Sequence, residues 1–217
     1  MDLASDARII ELTSEATAAV NAVHRRPVNL RKPELTSSES ALRGARANVD
    51  CYLAGVSVEE SINAYSVLAP AKVSQTASTF LRAPLQVLAL IDVYSGGTGR
   101  PEKNPQRLQQ LAKLITNDPD QVLAPALIQA ELITGGYFGQ RSGTVARVAT
   151  RIAAIAYGFD PRGLCVPEVY LRRHRAEYET LATHATDDQQ ALTDFLAFYL
   201  QSYILGAHEA EGIAKLA

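Results

Sequence analysis

The chain has no tryptophan, one methionine and only two cysteines among 217 residues. Cys51 and Cys165 stand far apart and neither belongs to a CxxC or CxxH pair, which argues against a zinc site and fits reduced cytosolic thiols. No metal is expected. Charge of one sign is not in excess either. Lys and Arg number 21 against 23 Asp and Glu, a formal net charge of -2, so nothing draws the whole surface toward nucleic acid or anionic lipid. Basic residues are not interleaved with aromatics as in nucleic-acid binders. No apolar run reaches the roughly 20 residues that span a bilayer. The opening MDLASDARIIEL carries acids early and lacks a basic-then-apolar leader pattern. The expectation is a soluble, cytoplasmic protein with no membrane or nucleic-acid partner. No internal Ser/Gly/Pro-rich linker appears, so one domain over 1–217 is expected, with N-terminal helices over 1–70 and a core over 71–217.

Period-two strands are missing as well, and helical spacing takes their place. Leu3–His24 sets Ile9, Ile10, Leu12, Ala16, Ala19, Val20 and Val23 at helical intervals. Arg25–Pro33, with two prolines and four cations, reads as an extended connector. Ser38 is placed to cap a helix running to about Leu53 and ended by Gly55. Ser57 with Glu60 forms a capping box for a shorter helix. Ala71–Tyr94 continues helical with a break near Pro84. Asn104 and Pro105 start the next helix, and Asn117-Asp118-Pro119 stops it. Asp187 or Asp188 caps a last helix bearing Phe195, Phe198, Tyr199 and Tyr203, read as core with a dimer face as the alternative. The fold class is all-α, a compact helical bundle.

The most informative stretch is Gly136–Arg147, GYFGQRSGTVAR, which joins two strongly apolar segments. Val122 to Ile133 is apolar on every face and belongs in the middle of a protein. The following helix carries an apolar stripe, with Arg147 and Arg151 one turn apart on its other side. If Ser142 caps that helix, the N–H groups of Gly143, Thr144 and Val145 face into the loop with the positive helix end behind them. Gly139 and Gly143 allow close backbone approach, and Arg141 and Arg147 flank the turn. That is chemistry suited to phosphate; the plain alternative is a capped helix start whose arginines meet solvent or acids.

This stretch resembles a degenerate copy of the Fic-family signature HPFxxGNGRxxR. Phe138, Gly143 and Arg147 match, while Gly136, Tyr137, Arg141, Ser142 and Thr144 replace the histidine, proline, glycine, asparagine and first arginine. From about Asn104 to the C-terminus the layout is similar, including the turn around Asp160-Pro161. The resemblance implies a protein built to move AMP, from ATP with magnesium, onto a protein hydroxyl. It also implies a flap hairpin over 95–104, with Gly97, Thr98 and Gly99 holding an extended target segment; a plain glycine-rich surface loop is the alternative reading. The base that such chemistry uses, worth about 10²–10⁴ in rate, is absent at Gly136. Glu131 and Tyr137 are the nearby substitutes: Glu131 reads rather as an ion pair with a loop arginine, and Tyr137, with an ordinary pKa of about 10, is a poor base. His24, His174, His184 and His208 read as solvent-facing residues of surface helices. The family's inhibitory pattern, Ser/Thr-x-x-x-Glu-Gly/Asn, has its nearest candidate in Asp50-Cys51-Tyr52-Leu53-Ala54-Gly55, with alanine at the glutamate and Glu59 or Glu60 as alternative acids. Three functions stay open. The first is a pseudoenzyme with a residual nucleotide- or anion-binding or protein-interaction loop. The second is a rewired transferase, in which Arg141 either plugs the phosphate space or supplies a cation. The third is a structural or antitoxin-like partner.

Overall fold

The computed structural model describes residues 6–117 and 120–217 of the chain. Among them are twelve α-helices and no strand, so the fold is all-α. Prolines open half of these helices. α1 (Ala7–His24) is capped by Asp6, whose Oδ1 accepts from Arg8 N and Ile9 N at 3.0 and 3.2 Å. α2 (Pro27–Arg31), α3 (Pro33–Asn48), α5 (Pro70–Arg82), α6 (Pro84–Tyr94), α7 (Pro105–Ile115) and α10 (Pro167–Arg173) each begin at a proline. A ring nitrogen has no N–H to lose in the first turn, and its fixed φ suits a helix start. The expected extended connector over 25–33 is therefore corrected to a short helix and the start of α3. Ser38 lies inside α3 rather than at its cap, because Pro33 starts that helix earlier. α3 also stops at Asn48, short of Leu53, leaving residues 49–56 as a turn.

Other expectations hold. α4 (Val58–Tyr65) opens with the capping box: Ser57 N donates to Glu60 Oε2 at 2.7 Å and Glu60 N to Ser57 Oγ at 3.2 Å. Ala83 breaks the chain between α5 and α6. α7 starts after Asn104 as expected; of its stop signal, Asp118 and Pro119 lie outside the described residues. α11 (Arg175–His184) is followed by α12 (Gln189–Leu216), where Asp188 rather than Asp187 supplies the cap, accepting from Ala191 N at 2.8 Å.

α8 (Ala124–Gly135) and α9 (Ser142–Ala156) run antiparallel through the centre, with Thr150 Oγ1 of α9 reaching the Pro125 carbonyl of α8. One apolar cluster, built on Tyr65, Phe80, Ile91, Leu132 and Val148, lies on one side of the pair. A second, built on Val20, Leu164, Leu196, Leu200 and Tyr203, joins α1 and α12 on the other. Phe195, Phe198, Tyr199 and Tyr203 are all buried, so the aromatic helix faces the core. Every residue of α9 from Ser142 to Ala154 is buried, which corrects the one-sided stripe: Arg147 and Arg151 are inside the protein. The loop between α8 and α9 is thus anchored at both ends by the core. None of the described helices is long and apolar enough to cross a membrane.

Candidate functional site

Gly136 closes α8 in the left-handed conformation (φ 58, ψ 30), with its N–H on Ile133 O at 3.1 Å. Tyr137 and Phe138 then turn into the core, and a single 3-10 turn, Gly139–Arg141, leads into α9. Ser142 is the first residue of α9 and not its cap. Its Oγ accepts from Phe138 N at 3.0 Å and so ties the loop to itself. This corrects the expected capping by Ser142. A distant turn of the chain takes the place of the cap.

That turn, 49–56, lies across the start of α9. Gly143 N donates to the Leu53 carbonyl at 2.9 Å. Thr144 Oγ1 donates to the Ala54 carbonyl at 2.7 Å and accepts from Asn48 Nδ2 at 2.9 Å. Arg147 Nη1 donates to the Tyr52 carbonyl at 2.8 Å, and its Nε to Asn48 Oδ1 at 2.7 Å. A Cβ added at Gly143 would stand 2.3 Å from Tyr52 O and 2.6 Å from Leu53 O, so only glycine lets the two backbones meet. Carbonyl oxygens of the chain occupy the place where the sequence suggests phosphate oxygens.

Arg147 differs from Arg151, one turn on. Arg151 is paired with buried Glu168 (Nη1 to Oε2, 3.0 Å) and also donates to Ser40 Oγ and the Gly163 carbonyl. Tyr65 OH donates to Glu168 Oε1 at 3.0 Å, joining α3, α4, α9 and α10 in one buried network. Among the described residues Arg147 has only neutral partners, and its Nη2 makes no hydrogen bond although the side chain is buried. The sequence does not reveal this network; Arg147 and Arg151 at one-turn spacing in an apolar helix are its only trace.

On the other side of the loop Arg141 reaches away from the helix start. Its Nε donates to Asp92 Oδ1 at 2.9 Å and its Nη2 to Glu102 Oε1 at 3.2 Å. Burial disfavours its charge, but the hydrogen bonds and charges of Asp92 and Glu102 outweigh that, and its pKa is raised. Arg141 is therefore engaged by acids and neither fills the start of α9 nor offers it a cation. Asp92 is fully buried and organises the 95–104 segment: Gly97 N donates to its carbonyl at 2.8 Å and Gly99 N to its Oδ2 at 2.9 Å. The expected flap hairpin is corrected to a turn wrapped on that carboxylate, with Thr98 Oγ1 accepting from Arg100 N. The Gly97 and Gly99 donors point inward instead of pairing along a strand. Glu102 N then donates to the Tyr137 carbonyl at 2.7 Å, docking the segment on the loop, and its carboxylate lies against Gly139.

The substitute bases are engaged as well. Glu131 forms an ion pair, but with Arg107 of α7 and not with a loop arginine: Arg107 Nε and Nη2 reach Oε1 and Oε2 at 2.6 Å each. Tyr137 OH donates to the same Glu131 Oε1. Burial first, and then the Glu131 hydrogen bond, push the Tyr137 hydroxyl well above the ordinary tyrosine value, so it keeps its proton at neutral pH. Of the histidines, His174, His184 and His208 are exposed or partly exposed, in keeping with the expectation. His24 is corrected: its side chain is only 10% exposed, and its Nε2 pairs with Asp160 Oδ1 at 2.7 Å. Both thiols are buried, which pushes Cys51 up to about 11 and Cys165 well above the ordinary thiol value. Among the described residues no cluster of three His, Cys, Asp or Glu side chains could hold a metal. Comparison of the chain with family models, with curated proteins and with solved structures returns no match, so the loop and its surroundings carry the functional reading alone.

Proposed function

We propose that this chain is a Fic-like protein that has lost nucleotidyl transfer, keeps the 136–147 turn as a structural joint and works as an interaction module. One observation carries the reading. The three groups best placed to hold phosphate, Gly143 N–H, Thr144 Oγ1 and Arg147 Nη1, are bonded to the carbonyls of Leu53, Ala54 and Tyr52. Support comes from the base position, where Gly136 has no side chain, and from Glu131 and Tyr137, which are bonded to each other, with Glu131 also holding Arg107. Incubation with radiolabelled ATP and magnesium is the direct test. No label above background is expected on the protein itself or on lysate proteins, and robust labelling would overturn the proposal in favour of a rewired transferase.

Arg147 Nη2, buried and without a hydrogen-bond partner among the described residues, favours a second reading in which the site retains weak anion binding. A buried guanidinium facing neutral groups leaves charge uncompensated, and an anion that displaced the 49–56 turn would meet it. Calorimetry with ATP, GTP and pyrophosphate separates the two readings. Silence at millimolar ligand leaves the joint; heat that disappears in Arg147→Ala gives the anion site.

A further inference from the structure

A cleft of about 530 Å³ opens between α7 and α8, away from the start of α9. α7 turns Arg107, Leu111 and Leu114 into it, and α8 turns Ala124, Ile128 and Glu131, the i, i+4, i+7 spacing of one helical face in each case. The lips are apolar and wet. Leu114 is 67% exposed, and Leu127 is 38% exposed on a helix otherwise almost wholly buried. Seven residues from Arg107 to Leu114 rise about 10 Å, the length of two turns of a docked helix.

Charge divides the cleft into two unlike ends. At one end Arg107 and Glu131 neutralise each other through two bonds of 2.6 Å. At the other end Asp120 lines the cleft; its Oδ1 accepts from Val122 N and Leu123 N at 2.8 and 2.7 Å, and no cation among the described lining residues pairs with it. We propose that this cleft docks an amphipathic helix of a protein partner. Its aliphatic anchors are spaced i, i+3 or i+4, i+7, and Lys or Arg sits at the end over Asp120. An aliphatic stripe covers the two exposed leucines. A cation meets Asp120, whose carboxylate is bonded only to backbone N–H groups and has no ion pair among the described residues, whereas an acidic end is repelled there. This names the partner class for the interaction module proposed above and rests on that reading.

The test uses the full chain as bait for a phage-displayed library of roughly 16-residue amphipathic helices with randomised ends. Enrichment of helices basic at one end only is expected. A synthetic peptide of the enriched sequence should bind the chain, lose affinity as salt rises, and bind about tenfold or more weakly to Leu114→Asp and to Leu127→Asp, as the loss of one buried leucine requires. Both side chains are exposed, and unchanged thermal unfolding shows that the variants fold. Equal enrichment on the Leu114→Asp bait, or enrichment of acid-ended helices, overturns the proposal. So does self-association in the ultracentrifuge that Leu114→Asp abolishes, which would give the cleft to a second copy. Labelling by ATP would sink the non-catalytic reading and leave a positive cleft result standing; failed enrichment would do the reverse.

Discussion

The backbone N–H of Gly143 ends on the carbonyl of Leu53, 90 positions earlier in the chain (143 − 53), at 2.9 Å. A helix start that could receive an anion is thereby closed from within. The contact depends on a missing side chain. Gly143 lies in regular helix, where alanine would ordinarily add about 0.5–1 kcal/mol of stability. Here the new Cβ would meet the Tyr52 and Leu53 carbonyls well inside contact distance. Gly143→Ala should therefore destabilise by about 1–3 kcal/mol, the usual range for overpacking. Denaturant unfolding checks this, and a stabilised variant would mean that the 49–56 turn does not lie on α9.

The Arg151–Glu168 pair is fully buried and shares its oxygens with Tyr65. Removing one charge strands the other, which typically costs about 3–5 kcal/mol. Glu168→Gln should fall in that range, leaving Arg151 without a counter-charge. The double variant Arg151→Met, Glu168→Leu should recover most of the loss, since no lone charge remains. Urea midpoints of the two variants decide between a structural pair and an inert one.

Gly136 needs its glycine for a different reason. Its φ of 58 is left-handed, but a Cβ there would touch nothing within 4 Å. Gly136→His should therefore fold, at a cost of roughly 1–2 kcal/mol for the backbone alone. It should not label with ATP, because Arg141, Thr144 and Arg147 remain engaged elsewhere. Adding Arg141→Gly, Ser142→Asn and Thr144→Arg should not help either. Thr144 is fully buried between Asn48 and Ala54, so an arginine there is expected to lower the melting temperature before any pocket forms.

Local signals in the sequence translate well into structure. The Ser57–Glu60 box, the break at Ala83–Pro84 and the cap at Asp188 depend on neighbours within four residues, and each sits where the pattern places it. Prolines are legible as punctuation but ambiguous in sense: Pro27 and Pro33 start helices where the cation-rich pattern suggests a connector. The loop ends are also readable, because a segment apolar on every face must be central. The partners of the loop are not readable. Leu53 with Gly143, Asp92 with Arg141 and Arg107 with Glu131 are pairings set by packing across the bundle. Nothing in the local pattern of 136–147 distinguishes an N–H offered to a ligand from one offered to the chain. His24 escapes a sequence reading for the same reason, since its partner lies beyond α9.

That partner, Asp160, gives the last prediction. It is fully buried, and accepts from Leu164 N and Cys165 N at 3.0 Å each, as well as pairing with His24. Arg162 Nη1 reinforces the same junction by reaching the His24 and Asn29 carbonyls at 3.2 Å. Burial alone would raise the Asp160 carboxyl. The His24 hydrogen bond and charge, with Arg151 and the Cys165 N–H, reverse this and hold it below the ordinary carboxylate range. A carboxyl whose folded pKa lies below its unfolded value, about 3.9, stabilises the fold fully above that value, and the contribution fades as pH falls through the folded pKa. Asp160→Asn should thus cost about 1.5–3 kcal/mol at neutral pH, as for a hydrogen bond to a charged group. The gap between the two proteins should close as pH falls below about 4 and through the folded carboxyl's range. Thermal melts of both proteins from pH 5 to pH 2 read this directly, and a gap that widened below pH 4 would show that Asp160 is not the charged partner in the folded state.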